Sequence, residues 1–260
     1  MTEGSERAMN SSAREWDADT YDEVAQPQFE WGMDVLGRLE LRGDEVALDA
    51  GCGSGRVTAE LAKRLPRGRL IAVDGSEAMI AKARQRLGED VTYVVTDLSE
   101  LEVAEPVDLI FSTATFHWIA DHDRLFSRLH AALRPGGRLV AQCGGEGNVA
   151  EHAAVIAKVA ARLEFASHLE RASGLWNFAP PDVTEERLHR AGFAEARCWL
   201  QPWPVQPERP LEFITTVILG PLLAQLPEDL RRPFAEAVLE QSEKPLVLNY
   251  IRLNIEATVA

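Results

Sequence analysis

The segment Val46–Thr58 reads VALDAGCGSGRVT, and its reading decides the fold. Val46, Ala47 and Leu48 make a short apolar run that ends at Asp49. Gly51, Gly53 and Gly55 then alternate with Cys52 and Ser54, before the helical spacing of Val57, Leu61, Ala62 and Leu65 takes over. Glycines packed this densely between a strand pattern and a helix pattern predict a tight turn. Such a turn brings backbone close to a ligand and aims the free N–H groups of a helix start at it, while Asp49 sets a carboxylate at the strand's C-terminal edge. The stretch reads as a nucleotide-type cofactor site.

Outward from this turn, strand and helix patterns alternate at a regular pace. RLIAVD (Arg69–Asp74) is a second buried strand, again ending in an acid, and Ser76 is a good cap for a helix carrying Met79, Ile80, Ala83 and Leu87 up to Gly88. VTYVV (Val91–Val95) runs toward Asp97, and VDLIFS (Val107–Ser112) leads into the loop TATFHWI. A helix through Leu125, Leu129 and Leu133, a turn at Arg134–Gly137 and the strand RLVAQC (Arg138–Cys143) follow. This order predicts an α/β fold with a mostly parallel sheet wound by helices.

The flanks are less regular. Residues up to about Ser12 predict a frayed start. Trp16, Tyr21, Val24 and Phe29 then recur at helical intervals, and a second helix is expected from Gln28 after a break at Pro27. In the second half, Val149–Phe165 and Thr184–Ala191 predict helices and Trp176–Pro181 a loop. Phe193–Trp203 and Ile251–Val259 predict strands, and Leu211–Gln241 a helical insertion. With no internal repeat, the expectation is one domain over 1–260: an N-terminal helical lid (1–40), a cofactor-binding core (41–145) and a helical cap (205–245).

The formal net charge of −14 opposes a nucleic-acid partner, because phosphate binding relies on Lys and Arg. No apolar run is long enough to span a membrane, and the N-terminus lacks the apolar segment of a secretory signal. A cytoplasmic protein with a small-molecule partner is expected, as a monomer or weak homodimer. Cys52, Cys143 and Cys198 are widely spaced and odd in number, which predicts buried reduced thiols.

Acids close the first three predicted strands, and in an open parallel sheet ligands lie beyond those ends. The dinucleotide pattern G-x-G-x-x-G wants glycine where Arg56 stands, so a pyrophosphate fits poorly. Asp49 suits an ammonium group, and Asp74, about 20 residues past the glycines, suits a ribose diol. With VALDAGCGSG, IAVD, Asp97 and the RPGGRL turn together, the chain resembles the class I S-adenosylmethionine-dependent methyltransferases.

That resemblance implies a Rossmann-like, seven-stranded, mostly parallel sheet with an antiparallel last hairpin, and S-adenosylmethionine as cofactor. It implies that Asp49, Gly51, Cys52 and Gly53 surround the methionine part, with Thr113 nearby. Asp74 and Gly75 would meet the ribose, and Asp97 with the Leu98 amide the adenine. Within the family, the Phe116-His117-Trp118 loop and a lid of Trp16, Tyr21 and Gln28 are similar to the trans-aconitate and juvenile hormone acid methyltransferases. Both groups esterify a carboxylate. The implied acceptor is a carboxylic acid held by Gln28 and Trp118, with Tyr21 as a further lid candidate.

Other readings stay open on the residues alone. Trp118 also fits a core aromatic, and His117, a residue type whose unperturbed pKa lies near neutrality, also fits a base for a phenolic or amine acceptor. A cofactor-binding protein without turnover and a dehydrogenase remain as rivals. His117, Asp121, His122 and Asp123 have the residue types of a metal site, but Asp121 or Asp123 is a natural helix cap, so no metal is expected.

Overall fold

Period-two alternation along the central strands sorts their side chains onto two faces. Ala47, Leu109 and Phe111 join one apolar layer, and Leu48, Ile110 and Leu139 join another. The structure, a computed structural model, describes residues 26–169 and 176–260. Trp16 and Tyr21 lie outside the described residues.

The order is α1 (Gln26–Gly37), β1 (Val46–Ala50), α2 (Arg56–Lys63), β2 (Arg69–Asp74), α3 (Glu77–Leu87) and β3 (Val91–Val95). Then come β4 (Val107–Thr113), α4 (His122–Ala132), β5 (Leu133–Gly144), α5 (Ala150–Ala160), α6 (Leu163–Ala166), α7 (Pro181–Ala191) and β6 (Glu195–Val205). Short helices α8 (Pro210–Phe213) and α9 (Gly220–Leu223) flank a π-turn at Ile214–Ile218, and α10 (Glu228–Gln241) and β7 (Leu248–Thr258) follow. The seven strands form one sheet in the order β3-β2-β1-β4-β5-β7-β6, with β7 antiparallel to both neighbours. The expected sheet, including its antiparallel last hairpin, is the one observed. β1 lies between β2 and β4, where the winding direction reverses, so the glycine turn opens at the crevice such sheets use for ligands.

Proline placement follows from the ladders. Pro202 and Pro204 sit in β6 because it is an edge strand, and at even positions its N–H groups point outward. The outward N–H of Cys198, on the same side, is taken up by Glu185 of α7 at 2.6 Å. The helix expected from Gln28 is α1, which among the described residues already includes Gln26 and Pro27. The turn expected at Arg134–Gly137 is instead part of β5. Leu133 pairs with Val107, the register slips before Leu109 pairs with Arg138, and Gly136 absorbs the irregularity at φ +73°.

The helical insertion is likewise interrupted, at the π-turn, at Gly220-Pro221 and at Pro227. Its Phe213, Ile214, Leu222 and Phe234 pack with Ile156 and Phe165 into a third apolar layer that also holds Trp31 and Tyr250. All three cysteines are free and buried. Among the described residues no helix is long and apolar enough to cross a membrane.

His152 is buried under the same layer, with Nδ1 3.4 Å from Ser242 Oγ and Nε2 unpartnered among the described residues. Burial pulls its pKa from 6.5 to about 4. The folded chain holds the ring neutral where the unfolded chain would protonate it. Its contribution is therefore complete above pH 6.5 and is lost as pH falls toward 4. The loss amounts to about 3 kcal/mol at most. His152→Leu should flatten the melting temperature's dependence on pH across that window; a slope equal to the wild type's would contradict this account.

Candidate functional site

The glycine turn is held from beneath. The N–H groups of Gly51 and Cys52 both donate to Val73 O, at 2.8 and 2.9 Å, which ties the turn to the end of β2. Gly51 has φ +86°, and a Cβ there would lie 2.1 Å from Thr115 Oγ1. Only glycine lets the two loops pass this closely. Gly53 also has positive φ, +53°, but a Cβ there would meet nothing within 4 Å, because it faces open space.

Asp74 closes the turn from the other side. Its carboxylate accepts Gly53 N–H and Ser76 N–H, both at 2.9 Å. Burial raises its pKa, and the amides of Ser76, Gly53 and Gly75 oppose that rise. Asp49 is 2% exposed and accepts Thr58 Oγ1–H at 2.7 Å. Burial pushes its pKa up to about 7, against the Thr58 bond, and the charge of Asp74 adds to the rise. Asp97 caps the 3₁₀ turn Leu98–Glu100 by accepting Ser99 N–H at 2.8 Å.

A cavity of about 400 Å³ opens above these residues. At one end it is lined by Gly51, Gly53, Asp74, Gly75, Asp97 and Leu98. At the other end Gln28, Thr113, His117 and Trp118 face it. Asp49 and Cys52 are not among the lining residues; Asp49 lies beneath the turn, and the Cys52 thiol is 3.5 Å from Gly53 O.

The loop after β4 is shaped by strain and by a clasp. Ala114 is held at φ +56°, unusual outside glycine, with its N–H on Gln142 O at 2.7 Å. Asn177 N–H donates to His117 O at 2.8 Å, and its side chain donates to Ala120 O at 2.9 Å. This clasp brings Trp176 and Phe178 to the cavity, their rings stacked 5.6 Å apart. Gly144 N–H donates to His117 Nδ1 at 3.2 Å, so in the neutral ring the proton sits on Nε2. His117 is in this arrangement a donor, not a ready base.

The four suspected metal ligands have separate duties. Asp121 caps α4 through Arg124 N–H, His122 Nε2 meets Phe116 O at 3.0 Å, and Asp123 pairs with Arg190. No cluster of three or more metal-ligating groups occurs among the described residues. Trp31, Tyr250 and Arg252 also line the cavity, and the sequence patterns did not single them out. The available signal was Arg252 itself, a charge in the middle of a strand buried between two others.

Residues 47–137 match the family model described as a methyltransferase domain. A trans-aconitate 2-methyltransferase of Azoarcus sp. (strain BH72) is 39% identical over 127 residues, 49% of this chain and 50% of that protein. One of Acidovorax ebreus (strain TPSY) is 37% identical over 128 residues, 49% of each chain. The chain thus aligns with only about half the length of these curated relatives. Among solved structures, a Haemonchus contortus phosphoethanolamine N-methyltransferase 2, in complex with phosphomonomethylethanolamine and S-adenosylhomocysteine, superposes with a TM-score of 0.60. The match covers 93% of this chain and 56% of that one at 21% identity, a likeness of fold.

Proposed function

We propose, from the match of residues 47–137 to a methyltransferase-domain model and from the seven-stranded sheet, that the chain transfers the methyl group of S-adenosylmethionine to the carboxylate of a small molecule. The observation that carries this reading is one cavity with the glycine turn, Asp74 and Asp97 at one end and His117 and Trp118 at the other. The residues at the first end fit the cofactor. Gly53 presents backbone to open space, Asp74 presents carboxylate oxygens suited to ribose hydroxyls, and Leu98 has an amide beside Asp97 for adenine.

When bound, S-adenosylmethionine would supply a sulfonium methyl whose carbon a carboxylate oxygen attacks in line, the C–S electron pair leaving on sulfur as the thioether departs. The chain's own residues then have mainly to position the acid, which is already ionised near neutrality and needs no base. His117 Nε2–H, the indole N–H of Trp118 and the amide of Gln28 are donors suited to a carboxylate. A phenolic or amine acceptor needs His117 to take a proton, and the bond from Gly144 works against that role. The curated relatives, named for trans-aconitate, support an acid as acceptor.

The test is product chemistry. Incubated with methyl-labelled cofactor and a panel of carboxylic acids, the protein should give a labelled product that mild alkali hydrolyses, as an ester does. A labelled product stable to alkali would move the acceptor to a phenol or amine. No labelled product from any acid would remove the carboxylate reading.

A further inference from the structure

Trp176 and Phe178 reach the cavity from a stretch that has no helix or strand of its own, and contacts on both sides fix that stretch to the core. Asn177 does most of the fixing. Its N–H donates to His117 O at 2.8 Å, and its Nδ2 donates to Ala120 O at 2.9 Å and to Ile119 O at 3.4 Å. Two residues on, Ala179 O accepts Glu146 N–H at 3.2 Å, which ties the stretch to the segment after β5. Phe178 packs directly on Gly144, where a Cβ would lie 2.6 Å from Phe178 Cε1, and Gly144 N–H is also the donor to His117 Nδ1.

These contacts assemble four rings on one side of the cavity. Phe178 stacks with Trp176 at 5.6 Å and 10° between planes, and with His117 at 5.8 Å and 30°. Trp118 joins them, 4.9 Å from His117 and 6.1 Å from Trp176. All four line the cavity, and Val217 and Ile218 of the π-turn add aliphatic surface.

Ring faces attract other flat π surfaces beyond what buried area alone provides. A wall held in place before the ligand arrives also spares the entropy of ordering it. Polar groups on a ligand laid against these rings would lose water without gaining a hydrogen-bond partner there, which is unfavourable. The wall therefore favours a body that is both flat and apolar.

We propose that Asn177 is a positioning residue for the acceptor: it clamps Trp176 and Phe178 against the loop after β4, and the aromatic wall so built selects an acid whose carboxylate is joined to a planar, apolar body. This deepens the carboxylate reading and rests on it. The acceptor class is an aromatic or conjugated monocarboxylic acid. The reaction is the displacement already given: a carboxylate O–CH₃ bond forms as the S–CH₃ bond breaks, its electron pair stays on sulfur, and no proton moves.

The experiment is calorimetry on the full chain, with and without S-adenosylhomocysteine, using cinnamate, 3-cyclohexylpropanoate and trans-aconitate. The first two acids have the same carbon count, and the saturated one is the more hydrophobic, so buried area alone would favour it. The wall predicts the reverse: cinnamate should bind about 2- to 10-fold tighter than 3-cyclohexylpropanoate, and tighter than trans-aconitate. Trp176→Leu, which keeps apolar bulk and removes the flat ring, should bring the ratio of the first two close to one. Asn177→Ala should weaken cinnamate binding by about 3- to 10-fold and lower the same ratio, with S-adenosylhomocysteine affinity unchanged. A merely structural Asn177 would lower the melting temperature and leave the ratio as it is. If Asn177→Ala does not fold, the wild-type ratio and Trp176→Leu decide the matter. No binding of cinnamate, no preference for it over its saturated counterpart, tighter binding of trans-aconitate, or an unchanged ratio in the folded variants would overturn the proposal. The carboxylate reading fails separately: cinnamate preferred in binding, yet neither it nor any other acid labelled by methyl-labelled cofactor, would remove acid methylation and leave the wall's preference standing.

Discussion

Asp74→Ala is expected to weaken S-adenosylmethionine binding by about 100-fold, the loss of two charge-assisted hydrogen bonds to a ribose diol. The same carboxylate also accepts Gly53 N–H and Ser76 N–H, so its removal loosens the backbone that faces the ligand. Folding stability should change less than affinity. Burial has already raised the Asp74 pKa, so removing the group also relieves a desolvation cost that offsets the two lost amide bonds. Calorimetry together with thermal melting separates the two effects. A variant that melts lower yet binds the cofactor as tightly would show that Asp74 only shapes the turn.

Gly51→Ala and Gly53→Ala should fail in opposite ways, though both residues have positive φ. At Gly51 the new Cβ would sit 2.1 Å from Thr115 Oγ1, and Thr115 is itself bonded to Thr113 O at 3.0 Å. The loop bearing His117 and Trp118 must then shift, and the combined steric and φ cost is about 3 kcal/mol. Stability and turnover should fall together. At Gly53 the cost is only about 1 kcal/mol of backbone strain, because the Cβ enters open space. That variant should stay folded but lose cofactor affinity, since the methyl occupies room that the ligand's close approach requires. Equal melting temperatures for Gly51→Ala and the wild type would contradict the packing of the two loops.

Much of the fold was legible because parallel strands buried on both faces read as apolar runs, and those ending at Asp49, Asp74 and just before Asp97 carry their own punctuation. That Gly51, Gly53, Asp74 and Asp97 share one cavity follows from the same pattern, since local sequence places them at strand ends. The cap was read too simply. Helical spacing runs through Leu211–Gln241, yet the π-turn, Gly220-Pro221 and Pro227 cut it into short pieces that pack into one apolar layer. The RPGG segment was read as a turn because its residue types favour one, and the ladder to β4 absorbed it as an irregular strand.

The end of the cavity proposed to take the acceptor was the least legible part. Periodicity tells which face of β7 Arg252 and Tyr250 occupy, but not that α1 sets Trp31 against both. That contact joins residues more than two hundred positions apart in the chain, and no local pattern encodes it. His117 shows a related limit: its residue type allowed a base, and only the N–H of Gly144, on a different strand, assigns its proton.

The central claim is that the glycine turn, Asp74 and Asp97 hold S-adenosylmethionine, and titration calorimetry of the purified chain with S-adenosylmethionine and with NAD tests it most directly. The account predicts saturable binding of S-adenosylmethionine and none of NAD over the same range. Binding of NAD without S-adenosylmethionine would contradict it.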